Sequence, residues 1–254
     1  MEKAIGRLKE LTKDVVLLEH AIATLSWDQE TYMPLMAIGE KGEQLALLQG
    51  ILHEKITSTD IGSLLDDLGA DDDNPMGKFE TKLPADSAYI KETFRQYKIQ
   101  TRLSKKLVTD LALATSLSQA AWIEARKKSD FSIFEPHLTK VLELTKQKAE
   151  SIGYKETPYD ALLDEFEPWS STKEVTDIFQ SIQPWLTEFI GKIKEIKQVD
   201  DSFLLRDFDI SKQEVFGRKV LQDMGYTYDR GRLDVSVHPF TTTLGRDDVR
   251  LTTR

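Results

Sequence analysis

The sequence predicts a mainly α-helical protein with a small antiparallel sheet near its C-terminus. Three observations carry that expectation. Apolar residues recur at three- and four-residue steps through most of the 254 residues, the mark of helices with one buried face. Ser-x-x-Glu start signals and terminal glycines punctuate those runs. After Gly225 the chain turns to Tyr, Val and Thr broken by Gly, a composition that favours strands and turns.

Taken in order, Ile5, Leu8, Leu11, Val15, Leu18, Ile22 and Leu25 share one face of a long helix over residues 1–33, which Pro34 ends. A second helix over about 40–56 carries Leu45, Leu48, Ile51 and Leu52, and 57–68 reads as a short third. Residues 1–70 are expected to form an N-terminal helical arm, and 71–254 a helical body carrying the sheet. Asp71, Asp72 and Asp73 run into Asn74, Pro75 and Gly77. They lack the alternating ligands and closing Glu of a calcium loop, so they read as a solvated turn.

Three helices are expected over about 86–153, the last opened by Ser132 with Glu135 and closed by Gly153. The segment TPYDALLDEFEP, residues 157–168, carries Asp160, Asp164, Glu165 and Glu167. These are either paired carboxylates for acid–base work or the wet side of a short amphipathic helix. Ser171 with Glu174 opens a helix to about Lys197, inside which Pro184 predicts a kink or break. Ser211 with Glu214 opens another, stopped at Gly225.

Composition narrows the function classes. Forty-three acids against 34 bases give a net charge of -9, which argues against nucleic acid as a partner. There is no cysteine, hence no disulfide and no thiolate chemistry. The N-terminus is charged throughout, unlike a secretory signal, and no run approaches the ~18 apolar residues of a membrane span. A cytoplasmic protein with no membrane partner is expected.

Of the four histidines, His20 reads as a surface or packing residue and His137 as structural. His53 begins HEKIT, but Thr57 stands where a zinc helix needs its second imidazole. His53 and Glu54 are therefore expected on a helix surface. His238 precedes Pro239, which holds it extended, and Phe240 follows; a site role and a structural role are both open. Beyond them Asp248, Arg250 and Thr252 stand two apart. On a strand they share one face, with Val249 and Leu251 directed to a core behind. Arg250 either pairs with Asp248 or offers its planar fork to a substrate carboxylate. No nucleophilic triad, phosphate loop or dinucleotide fingerprint is present.

The segments SWDQETYMP (26–34), EQLALLQGILHEK, DFSIFEPHLTKVLEL (130–144), TPYDALLDEFEP and GRLDVSVHPFTTTLGRDDVRLTTR together resemble the carboxypeptidase Taq family of thermostable metallocarboxypeptidases. Its H-P-F and D-x-R-x-T motifs match His238, Pro239 and Phe240, and Asp248, Arg250 and Thr252. The resemblance implies a multi-helix, groove-type fold with an N-terminal helical arm. It implies release of C-terminal residues from peptides by metal-activated water, with zinc or cobalt, in a cytoplasmic homo-oligomer, typically a dimer. The six motif residues then line the substrate groove. The family's H-E-x-x-H metal helix follows the D-x-R-x-T strand and is not among these 254 residues. The chain is thus expected to carry the groove wall, to bind no metal itself and to be inactive alone, with a separate chain as one source of the metal-binding half. The alternative is a non-catalytic helical binding or assembly module, or a truncated gene product.

Overall fold

In the computed structural model, which describes residues 2–77 and 84–254, the apolar steps of the N-terminus become helix α1 (Glu2–Thr31). Met1 of the expected first helix and residues 78–83 of the expected body lie outside the described residues. The rest of the helices are α2 (Ile38–Ile56), α3 (Thr59–Asp67), α4 (Pro84–Thr101), α5 (Lys105–Lys128), α6 (Glu135–Ile152), α7 (Pro158–Leu163), α8 (Thr172–Glu195) and α9 (Ile210–Asp223). Strands β1 (Gly231–Val235), β2 (Thr241–Gly245) and β3 (Asp248–Thr253) follow. A mainly helical protein with a small C-terminal sheet is what forms.

The chain divides into two compact units, residues 1–152 with 232–254 and residues 153–231. This cut differs from the 1–70 and 71–254 division expected from the sequence. In the first unit, Ile5 and Leu8 of α1 meet Ile61 and Leu65 of α3 and Ile90 of α4 in one buried cluster. Ile5, Leu8, Val15 and Ile22 are buried along α1, so the three- and four-residue steps mark the face that leaves water. Burying each such side chain stabilises the fold by about 1.5–3 kcal/mol.

Helix α2 lies close against α5 because its contact face carries glycine. A Cβ on Gly42 would stand 2.9 Å from Leu113 Cδ1, and one on Gly50 would stand 3.0 Å from Thr109 Cγ2. Helix α1 is fastened to α5 by amide pairs. Ser116 Oγ donates to Gln29 Oε1 at 2.8 Å, and Gln119 Nε2 donates to Glu30 Oε2 at 2.7 Å.

The sheet order is β1-β3-β2, which makes the last strand the central one. Strands β2 and β3 form an antiparallel hairpin in which Thr242 faces Arg250, with a register shift between Thr243 and Gly245. Strand β2 packs along α1.

In the second unit, Thr157 with Asp160 caps α7, and Ser171 with Glu174 caps α8 as the sequence predicts. Two other expected caps are corrected. Asp130, not Ser132 with Glu135, caps the turn before α6, and Asp209 caps α9 in place of Ser211 with Glu214. In both cases an aspartate two residues upstream of the serine outcompetes the hydroxyl as acceptor: Asp209 Oδ1 takes the N–H groups of Ser211 and Lys212. Pro184 does not break its helix; α8 runs through it from Thr172 to Glu195. Gly153 and Gly225 take the left-handed conformation just beyond α6 and α9, as helix-ending glycines do.

Candidate functional site

The H-P-F segment, His238–Phe240, is a loop between β1 and β2 whose shape is set by two hydroxyls. Thr252 Oγ1 accepts the Phe240 N–H at 2.9 Å, and the Thr252 N–H reaches the Phe240 carbonyl at 2.9 Å. Ser236 Oγ lies 2.8 Å from the His238 carbonyl and 2.6 Å from Thr252 Oγ1. Thr252 and Ser236 are buried, where unpaired hydroxyls are costly, so these bonds hold the loop in one shape.

This corrects one expectation. Val249 and Leu251 are not buried in a core behind Asp248, Arg250 and Thr252. Thr252 is buried, while Asp248, Val249, Arg250 and Leu251 are all half-buried. As the central strand, β3 has a neighbour at each edge, and of the polar triplet Thr252 meets the loop and Arg250 meets Trp27 of α1.

Trp27 gathers the charges of the sheet. The Arg250 guanidinium lies 4.4 Å from its ring centroid and that of Arg232 4.7 Å. Each arginine is also held by an aspartate two residues away. Arg250 Nε and Nη2 donate to the two Asp248 oxygens at 2.9 and 2.7 Å, and Arg232 Nε and Nη2 donate to those of Asp234 at 2.6 and 2.8 Å. The Tyr32 hydroxyl, near the end of α1, donates to Asp234 at 2.5 Å. Burial pushes the Asp234 carboxyl upward, but the bonds from Arg232 and Tyr32 outweigh it and leave the group below its ordinary value. The Arg250 fork holds Asp248 low in the same way. Trp27 is 6% exposed, and its indole N–H is buried without a hydrogen-bond partner.

Beside this cluster lies a cavity of ≈ 830 Å³ between α1, α5 and the H-P-F loop. Trp27, Trp122, Phe134 and Phe240 give it aromatic walls, and Glu30 and His238 are its ionisable groups. Burial pushes the Glu30 carboxyl up, against the opposing effects of the Gln119 bond and of His238. Glu30 and Gln119 also line a second cavity of ≈ 470 Å³ between α1, α2 and α5, so their hydrogen-bonded pair stands as a partition between the two spaces.

The remaining candidates fall elsewhere. His53 is buried, not on a helix surface, and its Nε2 meets the Gln100 carbonyl at 3.0 Å. Gln100 belongs to the last turn of α4, where its carbonyl accepts the Leu103 N–H at 3.1 Å and meets the imidazole as a second partner. Glu54 pairs with Lys105 at 2.6 Å. His20 and His137 are half-buried. Asp160 accepts from Thr172 N, Thr172 Oγ1 and Thr157 N. These bonds, from the Thr172 hydroxyl first, hold its carboxyl at about 2, which suits a doubled cap and not a proton shuttle.

Sequence reasoning passed over Trp27, Glu30, Tyr32, Arg232 and Asp234 as site residues. A signal existed for the last pair: Arg232-Leu233-Asp234 reverses Asp248-Val249-Arg250, and each places an acid and a base on one strand face.

The helical body with a three-stranded sheet and a cleft beside α1 and α5 is an architecture shared with solved carboxypeptidases. The solved structure "BsuCP Crystal Structure" matches with TM-score 0.90 at 30% identity, covering 99% of this chain and 50% of that one. The chain belongs to the carboxypeptidase Taq (M32) metallopeptidase family, whose profile matches residues 7–254. It is 31% identical to Carboxypeptidase 1 of Bacillus subtilis over 96% of this chain and 48% of that protein. It is likewise 31% identical to Thermostable carboxypeptidase 1 of Thermus thermophilus, over 100% of this chain and 51% of that protein. The chain thus spans about half the length of the curated relatives it matches.

Membership in a metallopeptidase family implies a divalent metal. Among the described residues, no three or more His, Asp or Glu side chains converge to hold one.

Proposed function

We propose that this chain forms the substrate-binding wall of a metallocarboxypeptidase that releases C-terminal residues from peptides. The observation that carries this reading is the state of Arg250. Its Nε and Nη2 are committed to Asp248, which leaves the Nη1 edge for a second carboxylate. Structural pairing and substrate binding are therefore compatible in one side chain. The adjacent aromatic cavity, with His238, Pro239 and Phe240 on its rim, offers room for peptide side chains.

Hydrolysis would need the metal, zinc or cobalt, together with an activated water. The ligands would come from polypeptide equivalent to the half of the relatives that this chain does not cover, on a separate chain or on a continuation of this one. Alone, the chain is inactive in this reading and self-associates. The lack of cysteine and the absence, among the described residues, of any helix long and apolar enough to cross a membrane support a cytoplasmic setting.

A second reading, a non-catalytic helical binding module, is favoured by the missing cluster of metal-binding side chains among the described residues. Two measurements separate them. Release of a C-terminal residue from an N-blocked peptide, with added zinc or cobalt and the complementing half, is expected for the peptidase and not for the module. Binding of the same peptide as free acid and as C-terminal amide tests Arg250 independently of catalysis. The acid should bind on the order of tenfold more tightly, as a charge-assisted pair allows, and Arg250→Ala should abolish the difference. Equal binding of acid and amide would remove the groove assignment.

A further inference from the structure

The larger cavity, beside the H-P-F loop, presents one carboxylate and no cation to meet it. Every side chain that lines it belongs to the unit of residues 1–152 with 232–254, and no lysine or arginine is among them. Among the described residues Glu30 receives one hydrogen bond, from Gln119 Nε2 to Oε2 at 2.7 Å, although a carboxylate has acceptor sites for about four. Gln119 and His238 are the groups that lower its carboxyl, and burial overrides both. Lys148 stands across the partition in the smaller cavity and is not one of the groups that act on Glu30. Around the carboxylate the walls are aromatic. Trp122, Phe134 and Phe240 offer flat apolar faces, the surface against which a long methylene stem leaves water and a cation is attracted. Rings at this site already serve that way. Arg126 lies over Trp122 at 5.4 Å, and Arg232 and Arg250 lie over Trp27 at 4.7 and 4.4 Å.

We infer that this cavity is a specificity pocket for a basic side chain: Glu30 pairs with the cationic head of a C-terminal Lys or Arg, and Trp122, Phe134 and Phe240 line its stem. The inference rests on the functional reading above and deepens it. Trp27 connects the two, because it lines the cavity and also carries Arg250 on its ring. A residue whose carboxylate meets Arg250 can direct its side chain along that indole into the cavity. A neutral side chain of the same length would fill the space and leave Glu30 desolvated and unpaired, which is costly. An acidic one would set like charges together. Only a cation offsets the desolvation of the carboxylate, and only a long stem uses the rings around it.

Peptides of one sequence, N-blocked and ending in Lys, norleucine or Glu, test this by their dissociation constants for the chain, each as free acid and as C-terminal amide. Norleucine matches lysine in stem length and lacks the ammonium group. Among the free acids, the Lys peptide should bind on the order of tenfold more tightly than the norleucine one, as a charge-assisted bond allows, and the Glu peptide most weakly. Glu30→Gln should bring Lys and norleucine together while the preference for acid over amide persists. Equal binding of the Lys and norleucine peptides by the parent chain overturns the inference, and this arm does not depend on how the variant folds. A Lys preference that survives Glu30→Gln overturns it too, by placing the cation elsewhere. So does failure of all the peptides to bind at millimolar concentration. The role of Arg250 is scored separately, by acid against amide. A preference for acid without one for Lys leaves the groove standing and removes the pocket. A Lys preference with acid and amide equal keeps the pocket and removes the groove.

Discussion

Arg250 lies 4.4 Å from the centre of the Trp27 ring while its fork grips Asp248, so the last strand is fastened to the first helix through one indole. Arg232 and Tyr32 join the same assembly, and the H-P-F loop and the aromatic cavity adjoin it. Trp27 is therefore expected to govern both stability and the shape of the cleft.

Replacing Trp27 with Ala should destabilise the chain by about 3–5 kcal/mol, the range for buried aromatic truncations. Trp27→Phe should cost much less. It keeps a ring beneath the guanidinium groups and removes a buried N–H that has no partner, a group that costs about 1–3 kcal/mol to bury unpaired. Urea unfolding of the two variants checks the order.

Thr252→Val keeps volume and removes the hydroxyl that accepts the Phe240 N–H. The expected loss is about 1–3 kcal/mol, that of a buried donor left unsatisfied. Amide exchange at Phe240 should accelerate, while that of α2 and α5 should change only by the global shift in stability. Thr252→Ser should behave nearly as the parent, and equal exchange at Phe240 in the Val variant would show that the loop is held by other means.

Arg232→Met leaves the Asp234 carboxylate, 5% exposed, with Tyr32 as its remaining side-chain donor. Because Arg232 is 48% exposed, the expected cost is about 1–3 kcal/mol, below that of a fully desolvated pair. The pH dependence has a definite sign. The folded-state value of Asp234 is depressed, so its contribution is present above the unfolded value of about 3.9 and is lost as pH falls through the folded one. Without Arg232, burial acts with less opposition and raises the carboxyl, so acid unfolding should begin at higher pH than in the parent. Coincident acid-unfolding curves would refute the pairing.

Glu30 has the opposite sign. Its folded-state value is raised by burial, so the ionised form opposes folding at neutral pH and the penalty fades as pH falls below the folded value. Glu30→Gln should unfold at higher urea concentration than the parent at pH 7, and the advantage should shrink towards the unfolded value of about 4.3. A carboxylate kept at a stability cost on a cavity wall is a candidate for a working group. A destabilised Gln variant at pH 7 would instead mark Glu30 as structural.

Much of this was legible in the sequence where the cause is local. The stripe of α1, the capping box of Ser171 with Glu174 and the strands after Gly225 each follow from neighbours a few residues apart. The failures have non-local or competing causes. His53 is buried because the end of α4 presents a carbonyl to it, which no spacing within HEKIT encodes. Asp130 and Asp209 displaced the serine caps because a carboxylate is the stronger acceptor for the same N–H groups. The D-x-R-x-T pattern marked the right strand, yet its threonine serves the loop behind it and not an open face. Trp27 and Glu30 were hidden because an amphipathic helix alone does not say which of its inward residues meets a core and which meets a cavity.

The order β1-β3-β2 has a consequence for synthesis. Strand β1 leaves the ribosome first of the three, but its neighbour in the sheet is β3, the last to emerge. Until the stretch Asp248–Thr253 is out of the exit tunnel, β1 has an open edge, the H-P-F loop lacks its threonine clasp and Trp27 lacks the Arg250 cation. The junction of helix, sheet and cleft therefore closes only after β3 has emerged, later than α1 and β1 that it joins.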